Sequence, residues 1–133
     1  MNLSALLAVG SGAAFGAWLR WFLGMRLNSL HPELPLGTLA ANLLGGYVIG
    51  VAAGAVAGNI GFSPQARLFV MTGFCGGLTT FSTFSAETVT LFARGQLWWG
   101  CSEIALHVCG SLAATTLGLY SIRLLRQVAQ GAA

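Results

Sequence analysis

The stretch Thr72-Gly73-Phe74-Cys75-Gly76-Gly77-Leu78-Thr79-Thr80-Phe81-Ser82-Thr83-Phe84-Ser85 decides the fold. It lies inside the third of four long apolar segments. Paired glycines followed by a run of hydroxyl residues read as a membrane helix broken near mid-membrane. A break at bilayer depth frees backbone amides and carbonyls that lipid cannot satisfy. It survives only inside protein or beside a wet pathway, and ion sites are built in this way. The stretch therefore points to ion handling.

Composition agrees with a membrane setting. Of 133 residues, 56% are hydrophobic and 7% charged, against about 25% charged in soluble domains. The charges are six Arg and three Glu, with no Lys and no Asp. The net charge of +3 is dispersed, and nucleic-acid binding needs a clustered basic stripe; no nucleic-acid partner is expected. The chain is apolar from Leu3 with no basic region before it, which reads as a retained helix and not as a signal peptide. Cys75, Cys101 and Cys109 form no CxxC or Cys/His cluster, so they read as small buried hydrophobes.

A membrane span needs about 20 mainly apolar residues. Four segments qualify, from about Leu3 to Met25, Leu36 to Ala57, Pro64 to Ala93 and Leu97 to Leu125. The prediction is an all-α membrane protein, a single four-helix transmembrane domain over residues 1–133. Ser63-Pro64 has the form of an N-cap followed by Pro at the first helical position.

The arginines divide evenly. Arg20, Arg26 and Arg94 fall on one side of the membrane, Arg67, Arg123 and Arg126 on the other. This balance leaves the positive-inside rule nothing to choose between. Insertion in both orientations is the simple reading, and two opposed copies form an antiparallel, dual-topology homodimer. Four helices rarely enclose a conduction path, so a second copy is expected anyway. On the second segment Gly46, Gly50, Gly54 and Gly58 recur every four residues, a ladder that lets helix backbones approach closely.

Polar groups inside a membrane are costly and usually functional. Thr38 and Asn42 share one face of the second segment. Glu103, His107, Ser111 and Thr115 form a polar stripe along the fourth. Thr79, Thr80, Ser82, Thr83 and Ser85 follow the glycines of the third. A lone Ser or Thr commonly bonds its own helix one turn back. Asn42 has no such option, so it needs an interhelical bond or a ligand. Phe81 and Phe84 project from nearly one face; they are core or lipid contacts, or their weakly positive ring edges face an anion. Arg20 either snorkels to the interface or draws anions into a vestibule. Glu87 reads as paired or interfacial.

Together these residues carry a family resemblance. Gly73 through Ser85 with Glu87, Gly37-Thr38-Leu39-Ala40-Ala41-Asn42 with Gly45-Gly46, and Gly16-Ala17-Trp18-Leu19-Arg20 resemble the Fluc (CrcB) fluoride channels. The resemblance runs along essentially the whole chain. It implies antiparallel dual-topology dimers, each with two fluoride pathways and a central structural sodium ion. By motif position, the sodium ligands are the backbone carbonyls of Gly76 and Thr79. Phe81 and Phe84 become the aromatic edges of the pathway, Asn42 a donor, and Thr38, Ser82, Thr83, Ser111 and Thr115 its polar lining, with Arg20 at the vestibule. His107 joins the lining through its place in the polar stripe and departs from the family, where a tyrosine is common at that position. The expected function is passive export of fluoride through the cell (inner) membrane, which reduces its toxicity.

Two other readings compete. A small dual-topology coupled exporter of cations or drugs needs an embedded carboxylate, and the first segment has none; only Glu87 and Glu103 stand as substitutes. A sodium-coupled anion transporter is also compatible with a cation site at a broken helix. No nucleophile–base set or metal motif supports an enzyme.

Overall fold

The computed structural model describes residues 2–131. They form helices and turns, and among them no strand occurs. Among the described residues, four helical segments are long and apolar enough to cross a membrane: Leu3–Leu30, Leu36–Ala57, Pro64–Ala93 and Leu97–Gly131. Large apolar side chains such as Trp18, Trp21, Leu112 and Leu125 point outward. Such a surface suits lipid and not water.

Helix α1 spans Leu3–Leu27, with the Asn2 side chain accepting from the Ala5 amide at its start. Helix α2 spans Leu36–Ala57. Its first amides, Gly37 and Thr38, donate to Asn28 Oδ1 at 2.7 and 3.3 Å. A side chain from the preceding turn thus caps a helix that lacks a cap of its own.

The third segment is irregular. Helix α3, residues 64–78, starts at the Ser63 cap with Pro64 in its first turn. It widens to a π-helix over Leu68–Cys75 and closes as α-helix over Gly76–Leu78. Thr79 and Thr80 are then extended, with φ/ψ of −77°/153° and −148°/119°. Helix α4 restarts at Phe81–Ala93. The Thr80 hydroxyl oxygen caps it by accepting from the Thr83 amide at 3.1 Å.

Helix α5 runs Leu97–Gly131, beyond the Leu125 expected from the apolar run. Gln127 and Gln130 end the apolar pattern without breaking the helix, since neither Gly nor Pro intervenes before Gly131. Likewise α1 continues two residues past Met25.

Small residues set the helix pairs. Helix α1 packs on α3, and α2 packs on α5. A Cβ added at Gly16 would meet the Phe74 carbonyl and the Leu78 amide. One added at Gly50 would meet the Thr115 carbonyl, and one at Gly118 the Tyr47 carbonyl. Without a hydrophobic force between helices in lipid, such backbone approach supplies the packing. The glycine ladder of α2 is therefore used inside the subunit, against α5. The three cysteines are free; Cys75 is buried, whereas Cys101 and Cys109 are exposed.

Candidate functional site

The extended pair Thr79–Thr80 is held by Asn42. Asn42 Oδ1 accepts from the Thr80 amide at 2.7 Å, and its Nδ2 donates to the Thr80 carbonyl at 3.0 Å. These two bonds fix which way the amide points. Nδ2 also lies 3.0 Å from His107 Nδ1. An amide nitrogen only donates, so Nδ1 accepts and the neutral ring carries its proton on Nε2. Among the described residues no protein acceptor takes that Nε2–H. Asn42 is thus an interhelical clamp, with its donors engaged by Thr80 and His107.

The clamp has a consequence one turn back. In a continuous helix the Thr80 amide bonds the Gly76 carbonyl, and the Thr83 amide bonds the Thr79 carbonyl. Here the first goes to Asn42 and the second to the Thr80 hydroxyl oxygen. The Gly76 and Thr79 carbonyls lose their helical partners. A Cβ on Gly76 would meet nothing within 4 Å, so the backbone there is open.

Two cavities meet at Thr80. The larger, about 570 Å³, is a groove lined by Asn42, Gly76, Thr79, Thr80, Phe81, Phe84, His107 and Ser111, with Cys75 and Met71 as apolar wall. The smaller, about 420 Å³, holds Arg20 with Asn28, Thr38, Thr80 and Thr83. Phe84 is buried and stacks on His107, ring centroids 4.7 Å apart. Phe81 lies 5.6 Å from Phe84 and is 79% exposed.

The expected residues separate accordingly. Asn42, Phe81, Phe84, His107 and Ser111 share the groove with Gly76 and Thr79. Thr38, Thr83 and Arg20 share the second cavity. Ser82 is exposed, its hydroxyl 3.4 Å from that of Thr80. Thr115 packs against Gly46 and Gly50 on α2 and lines neither cavity.

Thr80 is not among the site residues expected from the sequence, yet among the described residues it alone lines both cavities. The sequence does carry a signal for it: a Thr after a glycine break, three residues before a second Thr, is an N-cap position. Glu87, expected to be paired or interfacial, accepts from the Thr38 hydroxyl at 2.8 Å.

The family described as CrcB-like protein, Camphor Resistance (CrcB), matches residues 7–119. A protein of Nitrosospira multiformis named Fluoride-specific ion channel FluC is 60% identical over 127 residues, 96% of this chain and 99% of that protein. One of the same name from Pseudomonas syringae pv. maculicola is 55% identical over 123 residues, 92% of this chain and 97% of that one. A third, from Chromobacterium violaceum, is 59% identical over 123 residues, covering 92% and 98%. With the match covering the clamp and both cavities and reaching into all four apolar segments, the chain belongs to the CrcB family.

Proposed function

We propose that the protein is a fluoride-selective passive channel that exports fluoride from the cytoplasm through the inner membrane and so lessens its toxicity. The observation that carries this reading is identity of 55–60% to proteins named as fluoride-specific channels, along nearly the full length of both partners.

The site's chemistry supports it. Fluoride is small and strongly hydrated, so a pathway must replace water with close donors while offering no deep trap. The groove supplies His107 Nε2–H, the Ser111 hydroxyl and the Phe ring edges, with no charged side chain in its lining. The N-terminus of α4 begins at Phe81, which sets the positive end of a helix dipole beside it. Arg20 stays in the neighbouring cavity, where it attracts anions without holding them at the narrow point.

Phe81, mostly exposed on an open groove, leaves one wall missing. A second copy in opposite orientation supplies that wall, and the balanced arginines favour the dual-topology arrangement. In this assembly the interruption at Thr79–Thr80 lies near mid-membrane. The Gly76 and Thr79 carbonyls, without helical partners, fit a hard cation that takes oxygen ligands. Sodium bound there contributes positive charge at the dimer centre and ties the copies together.

The test is passive efflux from liposomes holding the purified protein. Fluoride and chloride are followed separately, with no proton or sodium gradient. Fast fluoride loss with chloride retained is expected. Retention of fluoride by demonstrably reconstituted protein overturns the reading.

A further inference from the structure

The chain has three carboxyl side chains, Glu33, Glu87 and Glu103. Glu33 lies between α1 and α2, 3.5 Å from His31 Nδ1. The other two meet inside the bundle. Glu103 on α5 is 1% exposed, and the hydroxyl of Thr88, the residue after Glu87 on α4, donates to it, which brings the two carboxyl groups to one place.

Each carboxyl group has one oxygen satisfied and one not. The Thr38 hydroxyl donates to Glu87 Oε1 at 2.8 Å. The Thr88 hydroxyl donates to Glu103 Oε2 at 3.1 Å. Glu87 Oε2 and Glu103 Oε1 are buried and have no partner.

The surroundings offer no counter-ion. From α2 the facing group is Thr38, and from α4 it is Thr88 beside Glu87 itself. Helix α5 contributes Glu103 and, one turn on, His107, whose Nδ1 is taken by Asn42. From α1, Arg20 shares a cavity with Thr38. Among the described residues neither Arg20 nor any other arginine forms an ion pair with Glu87 or Glu103.

Two adjacent carboxylates with no cation are untenable in an apolar interior. A single proton changes the count. An ionised carboxylate only accepts, whereas a protonated one also donates. One O–H between the groups satisfies both bare oxygens at once, through a short charge-assisted bond. We propose that Glu87 and Glu103 form a proton-binding site, a hydrogen-bonded acid pair that holds one shared proton at neutral pH. The site goes beyond the fluoride reading and does not depend on it. It keeps Glu87 Oε1 as the acceptor of Thr38, and so fixes the Thr38 hydroxyl towards α4.

Infrared spectroscopy of the purified full chain in lipid tests this without any transport assay. The absence of Asp and the presence of three Glu make assignment simple. At pH 7 the wild type should show a protonated carboxylic carbonyl band of about one group per chain. Glu33→Gln should keep it. Glu103→Gln and Glu87→Gln should each abolish it, because the new amide donates to the remaining carboxylate. A wild-type spectrum with no such band overturns the proposal. So does a band that survives both pair substitutions. A monovalent cation in the proton's place would show as carboxylate bands that shift between sodium and potassium with no protonated band, and that result also overturns it. If either glutamine variant fails to fold, the wild-type spectrum decides alone.

Discussion

Asn42 on α2 grips both backbone polar groups of Thr80, accepting from its amide at 2.7 Å and donating to its carbonyl at 3.0 Å. The side-chain amide replaces, across 38 residues of sequence, the partners a continuous helix would have provided. Leaving a buried amide or carbonyl unpaired costs about 1–3 kcal/mol. Asn42→Ala should therefore lower stability by about that amount or more, read as a lower thermal midpoint in detergent. An unchanged midpoint would show that water or lipid headgroups satisfy Thr80 equally well.

Asn42→Asp keeps the acceptor for the Thr80 amide but removes the donors to the Thr80 carbonyl and His107. It also places a carboxylate in the groove. Fluoride efflux should fall strongly while the protein remains folded. Full activity in this variant would remove Asn42 from any role beside the permeating ion.

Phe81 is largely uncovered within the single chain. Phe81→Ile removes the aromatic edge and leaves an apolar side chain. Efflux should drop by roughly tenfold or more, equivalent to about 1.4 kcal/mol at the barrier, with the oligomeric state unchanged by crosslinking. Flux at the wild-type rate would rule out the ring-edge contribution.

His107 joins two parts of the groove, through Asn42 and through its stack on Phe84. His107→Phe preserves stacking but takes away the Nδ1 acceptor and the Nε2–H donor. A stability loss of about 1 kcal/mol is expected from the Asn42 donor it strands, together with reduced fluoride flux. A double-mutant cycle of His107→Ala with Phe84→Ala checks the stack, for which aromatic pairs show about 0.5–1.5 kcal/mol. Zero coupling would make the two rings energetically independent.

Gly50 meets the Thr115 carbonyl across the α2–α5 contact. Gly50→Val should push the helices apart and destabilise by about 1–3 kcal/mol. Monodisperse protein with a wild-type thermal midpoint would show that the pair can slide without loss.

The sequence made the spans legible because hydrophobic length is a local property. Leu36, Ala57, Pro64 and Ala93 are both the ends read from it and the ends observed. The site was legible only where a residue announced itself by type. Asn42 and His107 stood out as polar groups in apolar helices, yet their bond to each other joins positions 65 residues apart. No periodicity carries that information. The π-helical stretch Leu68–Cys75 was not legible either. Nothing in its residue types separates π from α winding, and its wider turn lies where α3 meets the glycine face of α1. Thr115 misled for the opposite reason: it continues the spacing of Ser111, but α2 covers it.

The π-helical stretch also sets which way the rest of α3 faces. Its wider turns hold more residues each than the 3.6 of an α-helix. Rewinding Leu68–Cys75 as ordinary helix at the same length would therefore swing everything after it about the axis. Gly77 would leave α1, and a bulkier neighbour would arrive in its place. The stretch acts as a winding offset: it aims Thr79, Thr80 and the Phe pair from a full turn or more away.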